Sequence, residues 1–352
     1  MAWSGNLTSE SAIGTAIKWT PDNPESQNIN DQSFYAVHDY AGNYSVTSFT
    51  APRRGVYRFD LKGSGGARDP GGGKRIDGSS CVTGGANGGT GGTTTGYLLL
   101  EAGQTVYVGA GGVCRAAFVS SAYGSSLAAI SANNLYFVAG AGGSGGAWGD
   151  NTNFTGYDCE AKAGGNGGGT TGVKGEGNDS YWQGGEGGTQ SAGGSGGKAH
   201  SSRAESRAGS YGTGGMGYGN LGSRGGRGGD GYYGGGSGGY NGGGGNASGG
   251  GGGSGYVKTA TLTVISNTYT STTSQGGGAA CNNAGSVTVT YYAKADIPVI
   301  FNGTRLEKII FNGVEIESLI YNGTKLFARR CKEWLWRFAG RGFAWSAVKP
   351  AL

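Results

Sequence analysis

Residues 222–233, "GSRGGRGGDGYY", set two Arg-Gly-Gly units beside a tyrosine pair. Arginine meets phosphate and tyrosine stacks on bases, so the pattern is that of an RGG-type RNA-binding segment. Two units are few, however, and a net charge of +5 over 352 residues does not demand a nucleic-acid partner. If the surrounding glycines pack, Arg224 and Arg227 would instead mark edges or turns of the packed segments.

Other residues that could do chemistry fall short of a constellation. A phosphate loop needs Ser or Thr after its Gly-Lys pair to hold the metal; Lys74 is followed by Arg75 and Lys198 by Ala199. His38 lies next to Asp39 without a nucleophile motif, and the second histidine, His200, stands in a polar stretch. Paired carboxylates with an informative spacing are missing. The five cysteines (Cys81, Cys114, Cys159, Cys281 and Cys331) are an odd number with no Cys-x-x-Cys or His-rich spacing, so a zinc site is not expected. With no signal peptide read at the start, assembly in a reducing cytoplasm is expected, and Cys81, Cys114, Cys159 and Cys281 are not expected to form an obligatory disulfide framework. The reading is of a protein that is not an enzyme and has no cofactor, no metal and no nucleic-acid partner.

Side chains suited to recognition lie between the glycine blocks. "AWGDNTNFTGYDCEAKA" (147–163), "VKGEGNDSYWQ" (173–183) and "KAHSSRAESRAGSYG" (198–212) are short, aromatic and charged. Loops on a rigid support commonly carry binding, with Trp, Tyr and Arg as anchors. Trp148, Phe154, Tyr157, Tyr181, Trp182, Arg203 and Tyr211 are therefore the candidate binding residues. The competing reading is that Trp148 and Trp182 only cover the ends of the glycine segments.

These loops need a support, and the glycines pose the question of what it is. Of 82 glycines, 69 lie between Gly63 and Gly255. Ordering a residue costs about 1–2 kcal/mol, and glycine brings no apolar surface in return. Yet strand-like runs occur before, within and after the glycine window. Tyr57 to Lys62 alternate apolar and polar, and 94–112, 133–143, 256–265 and 285–293 are rich in β-prone residues. One sheet framework with glycine segments threaded through it is expected. Polyproline-II-like geometry, with three residues per turn, leaves every N–H and C=O free to bond neighbouring segments. Only a dense lattice of such bonds, each contributing ~0.5–1.5 kcal/mol net, could offset the entropy cost.

"FTAPRRGVYRFDLKGSGGA" (49–67), "GGTGGTTTGYLLLEAGQTVYVGAGG" (88–112), "LYFVAGAGGSGG" (135–146), "GGDGYYGGGSGG" (228–239) and "GGGGGSGYV" (249–257) follow one another in an order that resembles the glycine-rich domain of the anaplastic lymphoma kinase and leukocyte tyrosine kinase ectodomains. Bacterial and phage proteins carrying that domain are similar too. The resemblance spans roughly residues 45–293 and implies an all-β fold, a jelly-roll-like β-sandwich carrying a bundle of polyglycine-II helices. In phage tail-tip adhesins such bundles grip the host by the loops between helices. The sequence lacks the receptor kinases' signal peptide, transmembrane span, kinase and dense cysteines, which favours the phage branch. The expectation is a virion tail protein, made in the host cytoplasm, that binds a host surface glycan or surface protein. A purely structural tail module is the alternative.

The C-terminal part repeats every ten residues, with Asn-Gly at 302–303, 312–313 and 322–323. Asn-Gly between β-prone arms is a strong hairpin signal, because type I′ turns need positive φ at both residues. The repeats resemble short modules of phage tail and fibre proteins; a small packing meander is the plainer reading. Glu307-Lys308 and Glu317-Ser318 are counter-turns or parts of longer strands. Residues 329–350 interleave Trp334, Trp336, Phe338, Phe343 and Trp345 with basic residues, an assembly interface if exposed and a membrane-surface helix in the other reading. No run approaches the ~18 apolar residues of a membrane span. The expected organisation is N-terminal sandwich strands (1–62), glycine-rich bundle with interspersed strands (63–255), closing strands (256–296), Asn-Gly repeat module (297–328) and aromatic tail (329–352). Other tail or fibre proteins are the expected partners, and a homotrimer is one assembly this allows.

Overall fold

The computed structural model describes residues 3–21, 37–38, 41–68, 86–148, 161–177, 182–198, 206–220, 223–240, 247–264 and 266–295, and beyond these the backbone of eight short strands between 299 and 348. The described residues are nearly all β, with antiparallel sheets and two short 3-10 turns. The chain divides into two compact units: Met1–Leu262 with Thr268–Ala293, and Thr263–Asn267 with Lys294–Leu352.

Ten strands frame the first unit: β1 (Ala16–Trp19), β2 (Tyr44–Thr50), β3 (Gly55–Lys62), β4 (Thr93–Leu100), β5 (Thr105–Gly111), β6 (Ala117–Ser120), β7 (Leu135–Ala139), β8 (Tyr256–Val257), β9 (Thr272–Ser274) and β10 (Ser286–Lys294). One sheet has the order β1-β10-β3-β4-β9 and the other β8-β7-β6-β5-β2. In the first, Gly55 of β3 opposes Leu100 of β4 and Lys62 opposes Thr93. In the second, Tyr44 of β2 opposes Gly111 of β5 and Thr50 opposes Thr105. The alternation read from the sequence holds in β3: Tyr57, Phe59 and Leu61 are buried, while Arg58 and Asp60 point to the other face.

Residues from both sheets share one core. Trp19, Phe49, Tyr57, Phe59, Phe137 and Tyr291 belong to it, with Val106, Val108, Val287 and Val289. Full burial of each large apolar side chain contributes about 1.5–3 kcal/mol. Gly96 explains how the rings fit. It opposes Phe59 across β3 and β4, and a Cβ there would stand 2.3 Å from the Phe137 ring. The missing side chain is the seat of that ring.

The glycine segments run outside these sheets, and their hydrogen bonds follow a different period. In 140–146 the donors turn through three neighbours: Ala141 and Ser144 donate to Asp230 and Arg227, Gly142 and Gly145 to Ser64 and Ala67, and Gly143 and Gly146 to Gly165 and Lys162. Segment 234–239 does the same: Gly234 and Ser237 donate to Ser210 and Arg207, Gly235 and Gly238 to Gly229 and Gly226, and Gly236 and Gly239 to Glu186 and Gln183. A β-strand alternates between two sides; these segments repeat on three.

Segment 247–255 is enclosed on all sides. Ser248, Gly251 and Ser254 donate to Gly239, Gly236 and Tyr233; Gly249 and Gly252 donate to Glu176 and Val173; Gly250 and Gly253 donate to Ser144 and Ala141. Its carbonyls in turn accept from Lys162, Gly165 and Gly168, from Gly185 and Gly188, and from Gly226, Gly229 and Tyr232. Such contact leaves no room for a Cβ at the glycines of this segment. At Gly251 it would stand 2.1 Å from the Glu186 carbonyl oxygen, and at Gly250 the same distance from that of Arg227. Longer side chains occur where a flank faces solvent, as at the exposed Asn166, Lys174, Glu176 and Glu186, and a few small or paired ones, Ser144, Ser237, Arg227 and Asp230, are buried among the glycines.

In the second unit the backbone forms hairpins at each Asn-Gly repeat. Phe301 opposes Thr304, Phe311 opposes Val314 and Tyr321 opposes Thr324, so two residues connect each pair of arms. Ser318 begins a strand (Ser318–Tyr321), so of its two readings, counter-turn or strand, it takes the second. Glu307, Lys308 and Glu317 lie outside the described residues. The aromatic tail is also β where it is described. Leu335–Phe338 runs parallel to Ser318–Tyr321 and antiparallel to Ser346–Val348. That backbone, with Trp336 and Phe338 on it, replaces the membrane-surface helix at these residues. Trp334, Phe343 and Trp345 lie outside the described residues.

Candidate functional site

The direction of each glycine segment decides where its loops go. Segment 162–168 is antiparallel to 140–146, 172–177 to 162–168, 183–188 to 172–177, and 193–198 to 183–188. Segments 140–146, 172–177 and 193–198 therefore run the same way, out from the sandwich that Ala139 leaves. Their outer ends begin the connections 147–161, 178–182 and 199–205. The return turns 169–171 and 189–192 lie at the sandwich end, where Gly168 and Gly169 take positive φ and Gln190 Nε2 donates to the Gly255 carbonyl. The pairs 63–68/86–92 and 233–239/247–255 obey the same rule, so residues 69–85 and 241–246 also connect outer ends.

This topology sets Trp148, Phe154, Tyr157, Tyr181, Trp182 and Arg203 in connections that share one end of the lattice. Phe154, Tyr157, Tyr181 and Arg203 themselves lie outside the described residues. Trp148 ends the short strand Ala147–Trp148, which pairs with Ser223–Arg224; that strand pairs in turn with Gly217–Asn220, and the latter with Val37–His38. A small four-stranded sheet thus braces the outer end. Trp182 is half-buried, and its carbonyl accepts a 2.9 Å hydrogen bond from Ser248 Oγ of the enclosed segment.

Tyr211 does not join them. Ser210 and Thr213 bond each other across a turn at the sandwich end, and the Tyr211 hydroxyl donates to the Ile130 carbonyl at 2.7 Å. Its ring packs on the cluster of Phe118, Leu127, Ile130 and Leu135 and lies edge-on to Tyr232. The sequence groups it with the other candidate binding residues because it closes the polar, Arg-rich stretch 198–212 between glycine blocks. The turn that carries it back to the sandwich is set by long-range bonds.

Arg227 is a second correction. Rather than marking an edge, its side chain is fully buried, Nη2 bonding Asp230 Oδ1 at 3.0 Å and Nη1 the Gly228 carbonyl at 3.0 Å. Asp230 Oδ2 accepts from Arg115 Nη1 (3.0 Å) and from the Tyr44 hydroxyl (2.9 Å), and Oδ1 also accepts from the Gly214 amide. Although burial opposes ionisation, the guanidinium groups of Arg227 and Arg115 hold the Asp230 carboxyl below its ordinary range. Such a guanidinium is not presented to a phosphate; its chemistry is to bind the glycine segments to the sandwich.

The described thiols are both free. Cys114 is buried with Sγ 2.9 Å from Ser144 Oγ, and Cys281 Sγ accepts from the Gly88 amide at 3.2 Å. Among the described residues, no three of His, Cys, Asp and Glu cluster as metal ligands would, and no helix is long and apolar enough to cross a membrane. No family model matches the chain, and no curated protein matches it.

Proposed function

We propose that this is a phage tail protein that binds the host cell surface through the connections at the outer end of its glycine segments. In this reading the frame is a jelly-roll β-sandwich and the glycine segments are polyglycine-II helices. The threefold hydrogen-bond period of 140–146 and 234–239 and the enclosure of 247–255 support that geometry. The order of β motifs and glycine runs that resembles the glycine-rich domain supports the sandwich and the phage setting.

One observation carries the binding role: the connections bearing Trp148, Phe154, Tyr157, Tyr181, Trp182 and Arg203 start from one end of a lattice whose flanks hold few side chains. Rings on a rigid support lose little entropy on binding, so a few can dominate affinity. The partner is a host surface glycan or surface protein. Residues 329–352 attach the protein to other tail or fibre proteins; their removal is expected to leave the first unit folded and abolish incorporation into particles.

The test is adsorption of phage carrying Tyr181→Ala with Trp182→Ala, and of Trp148→Ala separately. The double variant is expected to keep its melting temperature and to lose about tenfold in adsorption, roughly 1.4 kcal/mol. Unchanged adsorption in both would leave the structural tail module as the reading.

A further inference from the structure

The outer face of the β1-β10-β3-β4-β9 sheet carries a cluster that neither the core nor the glycine lattice uses. Tyr97 on β4 packs against both Tyr269 and Tyr292, with ring centroids 5.5 and 5.1 Å away. Tyr269 and Tyr292 are themselves 5.8 Å apart and nearly perpendicular. Arg58 of β3 places its guanidinium 5.6 Å from the Tyr292 ring centre and bonds Asp60 Oδ2 through Nε at 2.7 Å. Thr95 Oγ1 donates to the other oxygen, Asp60 Oδ1, at 2.9 Å. Tyr292 is 37% exposed.

We propose that this cluster is a carbohydrate-binding site for a neutral hexopyranose. The residue types decide the ligand class. Tyr292, exposed and backed by the half-buried rings of Tyr97 and Tyr269, offers ring surface to the C–H groups of a sugar, and a tyrosine presents such an amphipathic partner with an apolar ring beside a polar hydroxyl. The Arg58–Asp60 pair offers donors and acceptors side by side: the guanidinium keeps its Nη hydrogens, and each carboxylate oxygen keeps a lone pair for one of two vicinal hydroxyls. Arg58 is neutralised by Asp60 at contact distance, so its guanidinium is not an unpaired cation awaiting a carboxylate or phosphate. That argues against acidic sugars and nucleic acid. Two half-exposed charges and a threonine hydroxyl argue against a purely apolar protein contact. The site belongs to the sandwich, so it stands or falls apart from the reading of the outer loops.

Saturation-transfer NMR on the full-length protein tests it, with the methyl glycosides of glucose, galactose and mannose as probes and methyl glucuronide as the charged comparison. Transfer to the C–H protons of at least one neutral glycoside is expected, with millimolar affinity. Tyr292→Ala and Asp60→Asn should each weaken it about fivefold or more, while Tyr181→Ala with Trp182→Ala leaves it intact. Should Tyr292→Ala lower the melting temperature, Tyr292→Leu, which keeps bulk without a ring, is read in its place. Absence of transfer to all three neutral glycosides, transfer unchanged by both patch variants, or tighter binding of the glucuronide would each overturn the proposal.

Discussion

Arg227 and Asp230 meet at 3.0 Å with neither side chain exposed, inside a lattice built almost wholly of backbone. Asp230 reaches Arg115 and Tyr44 of the sandwich as well. One carboxylate thus fastens segment 225–231 to the frame, and the buried charges are tolerable only because they compensate one another. Replacing Asp230 by Asn would leave the Arg227 guanidinium buried without its counter-charge, and breaking such a pair costs about 3–5 kcal/mol. Urea unfolding of the purified variant should show a loss of that size; a change within experimental error would mean the pair is not a fastening.

The same carboxylate sets an acid limit. Its folded pKa lies below the ordinary 3.8, so the stability it contributes is present above that value and is lost as pH falls through the depressed one. Melting temperature followed from neutral to acid pH should drop below about pH 4 in the wild type. Asp230→Asn, already destabilised, should lack that component of the drop.

An alkaline limit follows from the tyrosines. Burial, and then the neighbouring Tyr232, Tyr233 and Tyr256, push the Tyr211 hydroxyl up to about 12 from its ordinary 10.0. Burial and Asp230 raise Tyr44 well above the same value. A raised phenol contributes stability that is fully present below pH 10 and is lost as pH climbs through the folded pKa. Ultraviolet titration of phenolate should show late-ionising groups in the folded protein, and Tyr211→Phe should lower their number by one while Tyr44 stays among them. Simultaneous ionisation of all tyrosines near pH 10 in the folded state would contradict the packing at Ile130.

Much of this architecture is legible in the sequence, and the parts that are not share a cause. Alternation in Tyr57 to Lys62 gives β3, and the order of strands and glycine runs gives one framework, because those signals are local. Arg227 and Tyr211 were misplaced because their partners are distant: Asp230 is close in sequence, but Arg115, Tyr44 and Ile130 arrive only when the chain folds. Arg-Gly-Gly looks the same whether its arginine faces water or Asp230. The Arg58–Tyr97–Tyr292 cluster was equally hidden, since its members come from β3, β4 and β10.

The enclosed segment should be the least tolerant part of the chain. Gly251→Val sets branched carbon where a Cβ alone would lie 2.1 Å from the Glu186 carbonyl oxygen, and the neighbouring segments are fixed by their own bonds. We expect a loss above about 4 kcal/mol, in the range reserved for core disruption. Glu186→Ala alters only an exposed side chain and its surface pair with Lys174, and should change stability by less than about 1 kcal/mol. Amide exchange supplies the second measurement. Amides of 248–254 should be among the slowest, and uniformly fast exchange there would mean the lattice does not persist in solution.

The thiols give a last check on how tightly the glycine segments meet the frame. Cys114 is buried against Ser144, and burial pushes the Cys281 thiol up, with Cys114 adding to the shift, while the Gly88 amide opposes it. The thiolate is the reactive form, so Cys281 should be sluggish toward an alkylating reagent at neutral pH, and burial keeps the reagent from Cys114. Cys281, half-buried, should react slowly in the folded protein and faster as pH rises. Cys114 should react only as fast as the first unit unfolds, and its labelling rate should track urea concentration. Since both are free, a reducing agent should leave these rates and the contribution of both residues to stability unchanged. Rapid labelling of Cys114 under native conditions would show that the contact between 140–146 and the sandwich opens without global unfolding.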